Sequence, residues 1–190
     1  SSSELLRLTD NPAYDGQPAW AADSTRVAFV SQRDGNSEIY TTTVPTLTLA
    51  RLTTDPAEDT HPTWAGDEKI AFQTNRDGNA EIYIMAPDGS GPVNLTRHPA
   101  ADGYPSCSPD GRHIAFQSDR DGQPEIYVLT ISGTTAISTT RLHAAGTSPA
   151  WSPDGLSIAF VSERDGNPEI YVMPADGSTQ TRLTNAVSYT

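Results

Sequence analysis

The chain has 190 residues, a length of ordinary single-domain size, with a net charge of −12 and Lys69 as its only lysine beside the arginines. That balance excludes the basic stripe that nucleic acid or an anionic bilayer would require. No apolar run approaches the ~18 residues of a membrane-crossing helix, and the single cysteine, Cys107, excludes an internal disulfide and a cysteine-built zinc site.

In chain order, Ser1-Ser-Ser3 carries no signal-peptide pattern and reads as a processed end, and Glu4–Thr9 reads as an outer strand. A pattern then begins that recurs four times: Pro18-Ala-Trp20, Arg33-Asp-Gly35, Glu38-Ile-Tyr40. The second copy is Pro62-Thr-Trp64, Arg76-Asp-Gly78, Glu81-Ile-Tyr83, and the third is Pro105-Ser-Cys107, Arg120-Asp-Gly122, Glu125-Ile-Tyr127. The fourth is Pro149-Ala-Trp151, Arg164-Asp-Gly166, Glu169-Ile-Tyr171, so that the arginines are spaced by 43, 44 and 44 residues. This is the period of one four-stranded propeller blade. A repeat of this kind does not bury its own apolar faces and must stack on its neighbours.

Within each repeat the signals give four strands and no helix. Pro-x-Trp opens the first. Ser108-Pro-Asp-Gly111 and Ser152-Pro-Asp-Gly155 then turn the chain: proline presets φ, aspartate bonds back to the backbone and glycine takes positive φ. Val27-Ala-Phe29, Ile70-Ala-Phe72, Ile114-Ala-Phe116 and Ile158-Ala-Phe160 form the second strand, bulky on one face and alanine-small on the other, as packing between two sheets demands. Arg-Asp-Gly makes the next hairpin, Glu-Ile-Tyr the third strand, and threonine-rich segments such as Gln180–Thr184 the polar outer edge. The predicted fold is therefore an all-β propeller assembly of four blades, with boundaries near 10–53, 54–96, 97–142 and 143–184, and segment 4–9 as a spare or closing strand of one domain, 1–190. Trp20, Trp64 and Trp151 are expected in buried positions near the inner strands, with Cys107 as the small occupant of the fourth such position.

Taken together, Leu-Thr, Asp-x-x-Pro-x-Trp-Ser-Pro-Asp-Gly, Ile-Ala-Phe and Arg-Asp-Gly-Asn-x-Glu-Ile-Tyr resemble the blade repeat of TolB-type β-propellers over essentially the whole chain. The resemblance implies a bacterial, periplasmic or extracellular scaffold. In TolB the propeller binds a peptidoglycan-associated lipoprotein; related propellers precede the catalytic domain of prolyl-oligopeptidase-like peptidases or form lyases of pectic oligosaccharides. Against that family pattern these 190 residues are expected to form four blades rather than six to eight, and they include neither the partner domain of TolB nor a hydrolase domain.

No Gly-x-Ser-x-Gly elbow, His-Glu-x-x-His or phosphate-cradling loop is present, and His98, His113 and His143 read as solvent-facing. Asn94-Leu-Thr96 matches a glycosylation acceptor but reads as the end of an outer strand. The segments before each Pro-x-Trp lie, in a propeller, at a mouth of the central channel. There the residue before proline differs in every copy: Gln17, His61, Tyr104 and Ser148. Three copies add an acid, Asp15, Asp59 and Asp102, while Gly146 breaks the series. Two readings follow for the acids. They form a carboxylate ring for a hard cation, or, the favoured reading, each caps its loop or pairs with the arginine of an Arg-Asp-Gly turn in an adjacent blade.

The expectation is thus a non-enzymatic scaffold, with no cofactor, that takes a protein, peptide or glycan at the mouth. The alternative is the propeller portion of a larger peptidase or lyase. Because an open four-blade arc leaves apolar faces bare, a homodimer completing an eight-bladed ring is the expected assembly.

Overall fold

The computed structural model describes residues 5–66 and 68–185. They form four sheets, each a meander of four antiparallel strands, and none of them is helical. Blade 1 holds β1 (Asp15–Trp20), β2 (Arg26–Ser31), β3 (Glu38–Thr43) and β4 (Leu49–Arg51), and blade 2 holds β5 (Asp59–Trp64), β6 (Ile70–Thr74), β7 (Glu81–Met85) and β8 (Val93–Asn94). Blade 3 holds β9 (Asp102–Cys107), β10 (His113–Ser118), β11 (Glu125–Ser132) and β12 (Thr135–Ala145), and blade 4 holds β13 (Thr147–Trp151), β14 (Ser157–Ser162), β15 (Glu169–Pro174) and β16 (Thr181–Arg182). The inner strands β1, β5, β9 and β13 neighbour one another in that order.

The turns work as their residues dictate. In Ser108-Pro-Asp-Gly111 the Gly111 N–H donates to Ser108 O at 2.9 Å, the Asp110 carboxylate accepts from Arg112 N at 3.0 Å, and Gly111 takes φ 66°. The Arg-Asp-Gly hairpins close one residue earlier than an Asp-Gly two-residue turn would. Gly78 N–H donates to Asn75 O at 2.9 Å, so arginine and aspartate are the central pair and glycine, at φ 100°, relieves the exit.

Period-two alternation divides each blade into a front, facing the preceding blade, and a rear, facing the next. Trp64, Ile70, Phe72, Tyr83 and Met85 on the front of blade 2 pack on Ala28, Val30, Ile39 and Leu52 on the rear of blade 1. Ile114, Phe116, Tyr127 and Leu129 of blade 3 pack likewise on Ala71, Ile82, Ile84 and Leu95. Ile158, Phe160, Tyr171 and Met173 of blade 4 pack on Ala115, Ile126, Val128 and Leu142. The core is thus three slabs between blades, and the alanine of each Ile-Ala-Phe is what lets the next blade's phenylalanine approach.

The tryptophans do not share one environment. Trp64 is 7% exposed, with its indole N–H on Ala19 O at 3.1 Å and the Arg26 guanidinium 4.6 Å above its ring, both from blade 1. Trp151 is only partly buried, beside His113, and its indole N–H meets no acceptor among the described residues. Trp20, expected to be buried, is 57% exposed, because among the described residues no blade lies before the first. Cys107 is a partly buried apolar neighbour of the blade 2–3 slab, and desolvation holds its thiol up at about 12, far from a thiolate at neutral pH.

The expected outer strand 4–9 also differs. Glu4 lies outside the described residues, and Leu5–Thr9 is not a strand, since among the described residues no sheet edge pairs with it. Leu8 and Thr9 instead lie across the front of blade 1 beside Val27, Phe29 and Thr42, which are buried.

A binding site candidate at the inner-strand bulges

Each inner strand carries the same defect. Gly16 pairs with Val30 and Ala19 with Ala28, so Gln17 and Pro18 together oppose a single residue, and the register shifts recur in β5, β9 and β13. A β-bulge of this kind turns one side chain out of the ladder. The residue turned is the one before proline: Gln17, His61, Tyr104 and Ser148 have φ 52°, 51°, 53° and 52°. Non-glycine residues in this left-handed region carry strain of about 1–3 kcal/mol each. Four unrelated side chains thus share one strained backbone conformation, which the fold imposes whatever the residue.

Three of the four meet. Gln17 Oε1 accepts the His61 backbone N–H at 2.7 Å and Gln17 Nε2 lies 3.5 Å from His61 Nε2, while the His61 and Tyr104 rings are 4.3 Å apart between centroids, tilted by 49°. Burial pushes the His61 imidazole below the usual histidine range, so the ring is neutral near pH 7. Tyr104 and Ser148 are exposed.

Two residues that the motif reading passed over complete the arrangement. Gln73 Oε1 accepts the Tyr104 N–H at 3.1 Å and Gln117 Oε1 accepts the Ser148 N–H at 3.3 Å, each reaching from the second strand of one blade to the bulge of the next. A Cβ on Gly103 would sit 2.5 Å from Gln73 Oε1, so this glycine makes room for that amide. Blade 1 has Val30 at the equivalent place, and there Gln17 supplies the acceptor instead. The signal was present in the sequence: Val30, Gln73, Gln117 and Val161 follow the four Ile/Val-Ala-Phe triplets, and an amide at an apolar position asks for a partner.

The three acids are not free carboxylates at the mouth. Arg33 Nη2 lies 3.1 Å from both oxygens of Asp15, Arg76 Nη2 3.0 and 2.9 Å from those of Asp59, and Arg120 Nη2 2.9 and 2.8 Å from those of Asp102. Each pair lies within one blade rather than between adjacent blades, since antiparallel pairing sets the start of the inner strand beside the end of the second strand, where the Arg-Asp-Gly turn begins. The arginine is held again by Ser31, Thr74 or Ser118 and lies 4.7–4.9 Å over Tyr40, Tyr83 or Tyr127. Those tyrosines donate to Asp34, Asp77 and Asp121; burial, then the aspartate beside each, holds their hydroxyls up at about 12. Burial raises Asp59 despite Thr74 and Arg76, whereas in the first blade burial is outweighed by Ser31, Arg33 and Thr9 and Asp15 is lowered. Among the described residues no three acids, histidines or cysteines gather where an ion could be held. In blade 4, where Gly146 stands in place of the acid, Arg164 turns to Ala145 O at 3.1 Å and Gln180 Oε1 at 2.6 Å.

The neighbours agree with the architecture. TolB from Acinetobacter baumannii is 25% identical and superposes with a TM-score of 0.78 over 93% of this chain and 45% of that one. A putative TolB from Agrobacterium tumefaciens is 25% identical with a TM-score of 0.79, over 94% and 65%. A puromycin-hydrolyzing peptidase of Mycobacterium tuberculosis shares the fold at 12% identity, TM-score 0.74, over 93% and 30%. The chain therefore spans less than two thirds of the length of either TolB. No curated protein sequence matches it. The TolB beta propeller domain profile matches residues 2–98, 66–142 and 98–190, and on that match the chain belongs to the TolB β-propeller family.

Proposed function

We propose that this chain is a non-enzymatic propeller scaffold that takes a protein, peptide or glycan at the channel mouth, in a periplasmic or extracellular setting. The observation that supports the reading most is the contrast at the bulges. The Asp–Arg–Tyr framework repeats in blades 1 to 3, and its arginine and tyrosine also in blade 4, while the residue on the bulge is Gln17, His61, Tyr104 or Ser148. Repeated positions carry packing; a position that varies on a fixed backbone carries recognition. Tyr104 and His61 present aromatic surface, and Gln17 and Ser148 present donors and acceptors, a combination suited to a peptide or sugar rather than to an ion.

The test is isothermal titration with a soluble peptidoglycan-associated lipoprotein, the partner the family resemblance implies, and with oligogalacturonides. Binding that weakens at least tenfold in Tyr104→Ala and His61→Ala, with melting temperatures unchanged, supports the site. Binding untouched by both variants removes it. The second reading, a propeller portion of a larger peptidase or lyase, draws on the likeness to the mycobacterial peptidase, of which this chain spans 30%. It differs in expecting peptide hydrolysis, or eliminative cleavage of a pectic oligosaccharide, once the remaining residues of such an enzyme are present.

A further inference from the structure

In the seam between blades 1 and 2 a tryptophan is covered by a cation of the chain itself. The Arg26 guanidinium, at the start of β2, lies 4.6 Å above the ring of Trp64, at the end of β5, and is paired with Asp23 at 2.9 Å. Under that cover Trp64 is 7% exposed. The seam between blades 3 and 4 repeats every part except the guanidinium. His113 starts β10 as Arg26 starts β2, Asp110 stands three residues before it as Asp23 does, and Trp151 ends β13 as Trp64 ends β5. An imidazole reaches less far than an arginine. The His113 ring centroid lies 6.2 Å from that of Trp151, and Nδ1 lies 3.7 Å from the Asp110 carboxylate, beyond hydrogen-bond reach. Trp151 accordingly stays partly exposed. In the middle seam Lys69 and Cys107 hold these two places, so no aromatic face is offered there.

The shorter side chain leaves a cavity of about 440 Å³ between the two blades, within the roughly 300–1,000 Å³ of ligand sites. Trp151, His113 and Val128 line it together with three turn aspartates, Asp110, Asp154 and Asp176, and among the described residues no arginine or lysine does. All three carboxylates lie below the usual aspartate range and are charged near pH 7. Burial of Asp110 is outweighed by Ser108 and the Arg112 N–H, while Ser152 and the Leu156 N–H lower Asp154 and Ser178 lowers Asp176. We propose that this cavity binds an arginine side chain of a partner polypeptide, whose guanidinium takes over Trp151 the place that Arg26 takes over Trp64 and is paired by the turn carboxylates. A planar, weakly hydrated guanidinium stacks on an indole as an ammonium does not, and its fork of donors suits carboxylates on more than one side. The net charge of −12 favours the approach of such a basic partner. The site is separate from the bulges, since β13 carries Ser148 near its start and Trp151 at its end.

The test is an NMR titration of the full chain with a capped Gly-Arg-Gly peptide and with its citrulline counterpart, a neutral isostere. It is read at the Trp151 indole N–H signal, assigned by its loss in Trp151→Phe. The arginine peptide should shift that signal saturably and the citrulline peptide should leave it in place. His113→Arg supplies the guanidinium from within, as Arg26 does; it should keep the circular dichroism of the parent and weaken the peptide at least about fivefold. Asp154→Asn should weaken it in the same direction. Asp176→Asn serves if Asp154→Asn fails to fold, because Asp154 also holds its own turn through Ser152 and Leu156. Asp88→Asn, in a turn of blade 2 outside the cavity, is the control and should change nothing. No shift at any peptide concentration overturns the proposal. So do equal binding of the citrulline peptide, binding untouched in His113→Arg, or a loss in Asp88→Asn as large as in Asp154→Asn.

Discussion

Blades 2 and 4 are near copies in sequence and unlike in their surroundings. Phe72 and Phe160 are equally buried, because both fronts pack on a blade; Ile82 and Ile170 are not, because only one rear does. Arg76 is clamped by a buried aspartate, while Arg164 faces Gly146 and reaches for a carbonyl and an amide. The unit that buries apolar surface is therefore the slab between blades, and a residue's worth depends on whether its slab is complete.

That contrast is open to direct attack. The largest effect is expected at the tryptophans. Trp64→Ala should cost about 3–5 kcal/mol, as deletion of a buried aromatic does, while Trp20→Ala, on an exposed copy of the same position, should cost under about 1 kcal/mol in the single chain. Urea unfolding of both variants at one chain concentration checks the difference, and equal losses would mean that the front of blade 1 is covered in solution.

Next come the arginines. Arg120→Ala leaves the fully buried Asp102 without its partner and should cost about 3 kcal/mol, the low end for a broken buried pair because the arginine keeps some exposure. Arg164→Ala removes the bond to Ser162 Oγ, the stacking over Tyr171 and two exposed hydrogen bonds but strands no buried charge, and should cost about 1 kcal/mol.

Gln117→Val, which copies blade 1, removes the acceptor of the Ser148 N–H and should cost about 1 kcal/mol, a typical single hydrogen bond. The sharper measurement is amide exchange. Protection of the Ser148 N–H should fall while that of Tyr104 holds.

The smallest effect concerns His61. Its folded pKa is lowered by burial, so the unfolded chain binds protons more readily; His61 contributes stability that is whole above the ordinary histidine pKa and fades as pH falls through that range. Melting temperatures of the parent and His61→Gln should therefore diverge in pH dependence between pH 7 and 5, with the parent losing more. Identical profiles would place the ring in water. Catalysis offers a separate check: the chain alone should give background rates on peptide, ester and oligogalacturonide substrates, and turnover abolished by His61→Ala would defeat the scaffold reading.

The sequence by itself determined the blade. Pro-Asp-Gly and Arg-Asp-Gly specify turns through the φ each residue permits, and Ile-Ala-Phe specifies a strand with a large and a small face, so four sheets and their strand order follow from local chemistry. It also marked Gln17, His61, Tyr104 and Ser148 as the places where the copies differ. The left-handed bulge that carries them, the meeting of Gln17, His61 and Tyr104 across three blades, and the amides of Gln73 and Gln117 that brace them are relations between sheets, and only the tertiary structure decided them. The same holds for the acids: three aspartates before three prolines were compatible with an ion, a loop cap or an arginine of another blade, and antiparallel register chose the arginine of their own. Trp20 marks the limit most plainly. Its motif is that of Trp64, yet it is exposed, because burial in this fold is conferred by the neighbouring blade and not by the residue's own.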